Sequence, residues 1–416
     1  MALDATPLDF AETLARVLAQ VRALPAESVP FAGALGRVLA SDVQAPADDP
    51  TGAKSAMDGY ALRAAETAAA TDGAPLAFAA QAVIGAGHVA HRPLPPGQAQ
   101  RIMTGALLPA GADAVVKLED TRGLADGRFA IRAPLAQGEH VIARGARWRA
   151  GQRLLVAGTA VSPEVLGLLA ALGQAQVSVR RRPRVALLAL GDELVPVGEP
   201  LGPGQLHVSN LYVLEALARR AGAETVTLGI AGDDPAEITR RLATHVRAPA
   251  EGGCDIVLTL GGSHGGDFDY VEQVLGTLGT TLLVRRTRMI PAGSTMVAAR
   301  DGCLVFGLPG TPVAAWCAWH ALVRPALSGL LGRTPPGPPA VAATLTEPLR
   351  SRAGTMHFVP VWLALSPDGA PRATPLNDQA LAERPPNLLA NGLVLLEPAV
   401  TACAAGETVR AWWLVD

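Results

Sequence analysis

Three polar runs each follow directly on an apolar run: Gly191-Asp192-Glu193, Gly261-Gly262-Ser263-His264-Gly265-Gly266-Asp267-Phe268-Asp269, and Gly307-Leu308-Pro309-Gly310-Thr311. Four glycines around Ser263 and His264 let backbone N–H groups turn toward an anion, with the helix expected next adding its positive amino end. The same run also fits a tight strand-to-helix turn, since it has neither the Gly-Lys-Ser/Thr ending of a phosphate loop nor the spacing of a dinucleotide fingerprint. Asp192 and Glu193 close a buried strand, where a carboxylate needs a cation, a hydrogen-bond donor or a helix to cap. Ser55-Ala56-Met57-Asp58-Gly59-Tyr60 sets a further acid in what composition alone makes an ordinary Asp-Gly turn.

The elements that must position these runs follow from the pattern around them. Beyond Arg184, strands near residues 185–190, 225–230 and 255–260 alternate with helices near 211–221, stopped by Gly222, and 236–246, opened by Asp234-Pro235. Near-continuous apolar strands between helices predict a parallel sheet covered on both faces. Ligands of such sheets bind outside the carboxyl ends of the strands, so the three polar runs should converge on one crevice. Two more strands, at 295–299 and 303–308, precede a helix over 311–331, and a proline-rich linker leads into a terminal β module. Upstream, an amphipathic helix over 8–21 is followed by short β-like runs between about 45 and 141. Ser162-Pro163 then reopens helical texture, so that β module reads as an insertion.

Composition limits what the crevice can be for. The 416 residues suit several domains, and 49% hydrophobic against 17% charged excludes a disordered chain. A net charge of −2 gives no global field for nucleic acid or anionic membrane, so any anion is caught locally. No apolar run is long enough to span a bilayer, and Asp4 and Asp9 stand where a secretory signal carries basic residues; a cytoplasmic protein is expected. Cys254, Cys303, Cys317 and Cys403 show no Cys-x-x-Cys pair and read as reduced structural thiols. Of the 35 basic residues only Lys54 and Lys117 are lysines, so arginine is the expected cation elsewhere.

Read together, Ser55-Ala-Met-Asp-Gly-Tyr-Ala-Leu62, Arg101-Ile-Met-Thr-Gly-Ala106, Gly111-Ala-Asp-Ala-Val-Val116 with Glu119-Asp-Thr121, Leu190-Gly-Asp-Glu-Leu194 and Phe306-Gly-Leu-Pro-Gly310 resemble the MoeA/gephyrin-type molybdopterin molybdenumtransferases over essentially the whole chain. The resemblance implies a multidomain α/β plus β fold. It has a split helical linker domain (1–44 and 142–180), an inserted β domain (45–141), a three-layer parallel-sheet molybdopterin-binding domain (181–332) and a C-terminal β-barrel-like domain (340–416). It implies a homodimer that inserts molybdate into adenylylated molybdopterin with release of AMP, helped by Mg²⁺, and that supplies a molybdoenzyme recipient. Carried over residue by residue, Asp58, Asp192, Glu193 and Asp255 become candidate catalytic acids, and Asp192, Glu193, Asp267 and Asp269 the candidate Mg²⁺ ligands. Thr104, the glycine run Gly261–Gly266 with Ser263 and His264, and Pro309, Gly310, Thr311 and Pro312 become candidate pterin or phosphate contacts.

The chain also departs from the family pattern. Gly-Glu-Asp-Ile reads Gly145-Ala146-Arg147-Trp148, and Asp-Ser-Asn reads Val208-Ser209-Asn210. Lys-Pro-Gly-Lys-Pro reads Ile290-Pro291-Ala292-Gly293-Ser294, the Gly-Arg stretch reads Gly354-Thr355, and the Gly-Ser loop reads Asn377-Asp378-Gln379-Ala380. Two expectations follow. Either the phosphate clamp is rebuilt, with Arg286 and Arg288 on one face of a strand and Arg285 on the other, or the protein is a non-catalytic carrier of molybdopterin or its metallated form.

Overall fold

The computed structural model describes residues 6–262, 270–333, 338–376 and 390–414. Two compact units divide the chain: Asp42–Val156 form one, and Met1–Ser41 with Ala157–Asp416 form the other.

The larger unit is built on a six-stranded sheet of β1 (Arg184–Leu190), β2 (Glu224–Ala231), β3 (Ile256–Leu260), β4 (Thr281–Val284), β5 (Met296–Arg300) and β6 (Cys303–Leu308). The strand order is β2-β1-β3-β6-β5-β4. β1, β2, β3 and β6 run parallel, as expected, while β5 pairs antiparallel with both β6 and β4, so the sheet is mixed. Asp301-Gly302 sets the reversal: with φ of 49° and 87° it forms a two-residue turn between Arg300 and Cys303, too short for a parallel crossover.

β1 shows why the strands read as apolar throughout. Val185, Leu187 and Ala189 pack into one core with Leu211, Leu214 and Trp316, while Ala186, Leu188 and Leu190 pack into another with Ile238, Leu242 and Val274. Helices α1 (Asn210–Arg220) and α4 (Pro312–Ala318) therefore cover one face, and α2 (Pro235–Leu242) and α3 (Val271–Thr277) the other. This is a three-layer arrangement with a strand buried on both sides.

Five strands, Ala340–Leu345, Met356–Leu365, Pro371–Pro375, Gly392–Leu396 and Thr408–Trp413, close into a C-terminal barrel, because Met356–Leu365 pairs with Gly392–Leu396 as well as with Pro371–Pro375. Met289–Ile290 adds a short strand to it. The amino-terminal helix Phe10–Ala19 is capped by Asp9, which accepts from the Glu12 N–H at 2.7 Å, and Phe10 meets Phe358 edge-on at 5.1 Å. Among the described residues no helix is long and apolar enough to cross a membrane. Cys254, Cys303 and Cys317 are buried, and burial pushes all three thiols up, which suits inert core residues.

The smaller unit carries its own six-stranded sheet, ordered Ala114–Lys117, Gly59–Leu62, Gln98–Ile102, Leu76–Ile84, Phe129–Ile131, Thr121–Gly123. Leu62, Phe78, Val116 and Phe129 pack on one of its faces, and Ala61, Ile102 and Val115 on the other.

Candidate functional site

The carboxyl ends of β1, β3 and β6 open onto a cavity of about 550 Å³. Its wall includes Gly191, Glu193, Gly261, Gly262, Gly310, Thr311 and Pro312 of the expected runs, together with Ser209 and Asn210 at the start of α1 and Asp233 after β2. Glycines stand where two of the strands end, both with positive φ, and at Gly261 the missing side chain lets neighbouring strand ends come this close. Gly191 has φ of 144°, and a Cβ there would lie 2.3 Å from Glu193 Oε2. Gly261 has φ of 107°, and its Cβ would lie 2.6 Å from the Leu190 carbonyl oxygen. The Gly261 N–H instead donates to the Leu308 carbonyl at 3.0 Å, and Asn210 Nδ2 donates to the Gly310 carbonyl, lacing the loops together. Pro309 is buried beside this wall rather than part of it.

Glu193 and Asp233 line the cavity, and Asp192, expected with them, stands beside Asp233 without being part of the wall. The Asp233 N–H donates to Asp192 Oδ1 at 3.1 Å. Burial, and then the neighbouring Asp192 and Glu193 charges, push the Asp233 carboxyl above its usual range. Asp233 was missed as a site residue because Asp234-Pro235 reads as a helix start. That reading is right for Asp234, whose Oδ1 accepts from the Ala236 N–H at 2.9 Å, and it leaves Asp233 free to face the cavity. The signal was available, since Asp233 follows the carboxyl end of β2 just as Asp192 follows β1. Asn210, the last residue of Val208-Ser209-Asn210, also lines the cavity, and its type at a helix start gives no signal beyond that of a cap. Among the described residues no group of three His, Cys, Asp or Glu is arranged to hold a metal ion. Ser263, His264, Gly265, Gly266, Asp267 and Asp269 lie outside the described residues.

Asp255, expected among the catalytic acids, is not brought to the cavity. It stands just before β3, at the amino end of the sheet. There Oδ1 accepts from Arg181 at 2.8 Å, and Oδ2 accepts from Arg181 at 2.9 Å and from the Arg184 N–H at 2.7 Å. Its side chain is 2% exposed, and its surroundings are those of a structural ion pair.

Arg286 and Arg288 share one exposed face, as alternation expects, on either side of buried Thr287, which bridges to Leu8 beyond the end of β4 at Val284; Arg285 is exposed as well. Arg285 pairs with Glu272 at 2.8 Å. The Arg286 carbonyl accepts from the Leu8 N–H, the Arg288 N–H donates to the Leu8 carbonyl, and neither side chain lines the cavity. Downstream, Ile290 pairs with His357 of the barrel, and a Cβ on Gly293 would lie 3.2 Å from the Met289 carbonyl, so a lysine at 293 would need its neighbours to shift.

In the smaller unit, Asp58 and Thr104 do come together: Asp58 Oδ1 accepts from the Thr104 hydroxyl at 2.6 Å and from its N–H at 2.7 Å. These two bonds, the hydroxyl first, with Arg101 nearby, hold the Asp58 carboxyl below its usual range. Arg101 lies over the Tyr60 ring, 5.3 Å from its centroid. Asp58 thus does more than shape its own turn.

Three family models match the chain in order: the MoeA N-terminal region (domain I and II) over residues 8–173, a probable molybdopterin binding domain over 186–329, and the MoeA C-terminal region (domain IV) over 342–414. The molybdopterin molybdenumtransferase 2 of Mycobacterium tuberculosis (strain CDC 1551 / Oshkosh) is 35% identical over 415 residues, which cover 95% of this chain and 97% of that protein. The molybdopterin molybdenumtransferase of Staphylococcus aureus (strain Mu50 / ATCC 700699) is 32% identical over 364 residues, 88% of this chain and 85% of that one. Among solved structures, a molybdopterin biosynthesis MoeA protein from Pyrococcus horikoshii matches with a TM-score of 0.87 at 29% identity, covering 99% of this chain and all of that one.

Proposed function

We propose, starting from a chain that belongs to the MoeA family of molybdopterin molybdenumtransferases, that it inserts molybdate into adenylylated molybdopterin with release of AMP at the crevice above β1, β3 and β6. Its place in molybdenum cofactor biosynthesis follows from the family. The observation that carries the choice of site is the convergence of three strand-end loops on one cavity inside residues 186–329, the stretch that matches a molybdopterin binding domain.

In this reading Gly261, Gly262 and Gly310 let the ligand approach the backbone closely, and Thr311 and Pro312 open α4 beside it. Asn210 braces the Gly310 loop through its carbonyl. Asp58, held ionised by Thr104, supplies a second acidic group required for turnover. The protein works as a homodimer and passes its product to a molybdoenzyme recipient.

Mg²⁺ belongs to the proposal through the quartet Asp192, Glu193, Asp267 and Asp269. Only Asp192 and Glu193 are among the described residues, and one Asp192 oxygen already accepts a backbone N–H. These two do not compose a cation site by themselves.

The test is to give purified protein adenylylated molybdopterin with and without molybdate and to follow AMP by chromatography. Molybdate-dependent AMP release is expected. Tight pterin binding with no AMP release would overturn the catalytic reading and leave a carrier.

A further inference from the structure

In the smaller unit the Asp58–Thr104 pair stands at the end of a strand ladder, and Arg101 closes that ladder. Gly59–Leu62 and Gln98–Ile102 run antiparallel, with Tyr60 opposite Arg101 and Gly59 opposite Ile102 as the last rung. Asp58 lies one residue before this rung and Thr104 two residues after it, so the separation of their side chains follows from how firmly the rung is held. Arg101 Nη1 donates to the Gly59 carbonyl at 2.9 Å and to the Ile102 carbonyl at 3.2 Å. A single guanidinium nitrogen thus clips both strands. The guanidinium is itself seated, 5.3 Å from the Tyr60 ring centroid, and Tyr60 stacks on Phe129 with centroids 3.8 Å apart. Phe129 belongs to the buried core of this sheet, so the clip is anchored in packed structure.

Resting on the reading above, in which Asp58 is required for turnover, we propose that Arg101 is a positioning residue: it fixes the Asp58–Thr104 pair in its working geometry without itself touching substrate. An arginine suits this place because a planar guanidinium lies on an aromatic face while its N–H groups bond in their own plane, which a lysine ammonium cannot do. The charge of Arg101 adds to the effect, since it helps to keep the Asp58 carboxyl low, behind the two bonds from Thr104. Misplacing a catalytic group by an ångström can cost about a hundredfold in rate, so a clip of this kind bears on turnover even though it stands behind the acid it serves.

The test is a double-mutant cycle on the intact protein. Arg101→Ala should lower the kcat of AMP release by about tenfold while KM for adenylylated molybdopterin stays within about twofold. Arg101→Lys should lose less, and takes the place of the alanine variant in the cycle if that variant melts early. In an Asp58→Asn background the same substitution of Arg101 should change kcat by no more than about twofold, because the group it positions is already gone. A second readout does not depend on turnover: with isotope-labelled threonine methyl groups, the NMR signal missing from Thr104→Ser reports on the contact with Asp58. Arg101→Ala should move that signal toward its position in Asp58→Asn. Losses from Arg101 and Asp58 that multiply, a loss confined to KM, or a Thr104 signal that Arg101→Ala leaves in place would overturn the proposal. A protein that releases no AMP sinks the catalytic reading, and the Thr104 signal then decides this inference alone.

Discussion

Replacing Asp255 with alanine separates a structural acid from a catalytic one. The substitution removes three accepted hydrogen bonds at 2.7 to 2.9 Å, two from the Arg181 guanidinium and one from the Arg184 N–H at the start of β1. Truncating one member of a buried ion pair costs about 3–5 kcal/mol, chiefly because the other charge is left without a partner. Arg181 is 31% exposed and can turn toward water, so the lower end, about 3 kcal/mol, applies. At roughly 2–4 °C per kcal/mol for a large domain, melting should fall by about 6–12 °C. Asp255→Asn keeps one acceptor and should lose about half as much. Thermal unfolding measures the first effect, and AMP release well below the lowered melting temperature measures the second, which should stay within about twofold of the unsubstituted protein. An Asp255→Asn variant that melts normally but has lost turnover would refute the reasoning and return Asp255 to the chemistry.

Asp58→Asn should lower AMP release by at least about tenfold, since it removes the charge held by Thr104, while circular-dichroism melting and the sedimentation profile stay as in the unsubstituted protein. Asp233 titrates high in the folded protein, so folding favours its protonated form and stability falls as pH rises through that raised value. Asp233→Asn should therefore raise the melting temperature at pH 7, and calorimetry should find the difference gone at a pH below the ordinary 3.8 of an aspartate. Asn210→Asp puts an acceptor against the Gly310 carbonyl where Asn210→Ala only leaves a gap, so KM should rise further in the aspartate variant. Gly261→Ala forces a Cβ to within 2.6 Å of the Leu190 oxygen at a positive φ, and should cost at least about 1–3 kcal/mol in denaturant unfolding.

These residues also show which kinds of sequence signal reach the structure. β1 was readable because the six residues after Arg184 in the strand are all apolar, a pattern that only burial on both faces tolerates, and both faces are indeed filled. Once strand direction is known, the convergence of Gly191, Gly261 and Gly310 follows, because chain direction decides which end of a parallel strand faces the ligand. The same rule, applied strictly, separates Asp255 from Asp192: one precedes its strand and the other follows it. Motif matching ignores that distinction, since it asks which acids are kept and not which end of the sheet they occupy. The arginines show a related limit: alternation puts Arg286 and Arg288 on one face, on either side of Thr287 with its bridge to Leu8, but does not say that this face is the exposed one. The antiparallel half of the sheet has a local signal in Asp301-Gly302, a dipeptide whose left-handed conformations favour a hairpin, which the strand-helix rhythm before it does not contain. What no local pattern could supply is the bond from Asp58 to Thr104 in the smaller unit or from Asn210 to Gly310 in the larger, each joining residues far apart in sequence; the shape of the crevice wall depends on the second of these, and so on how the whole larger unit folds.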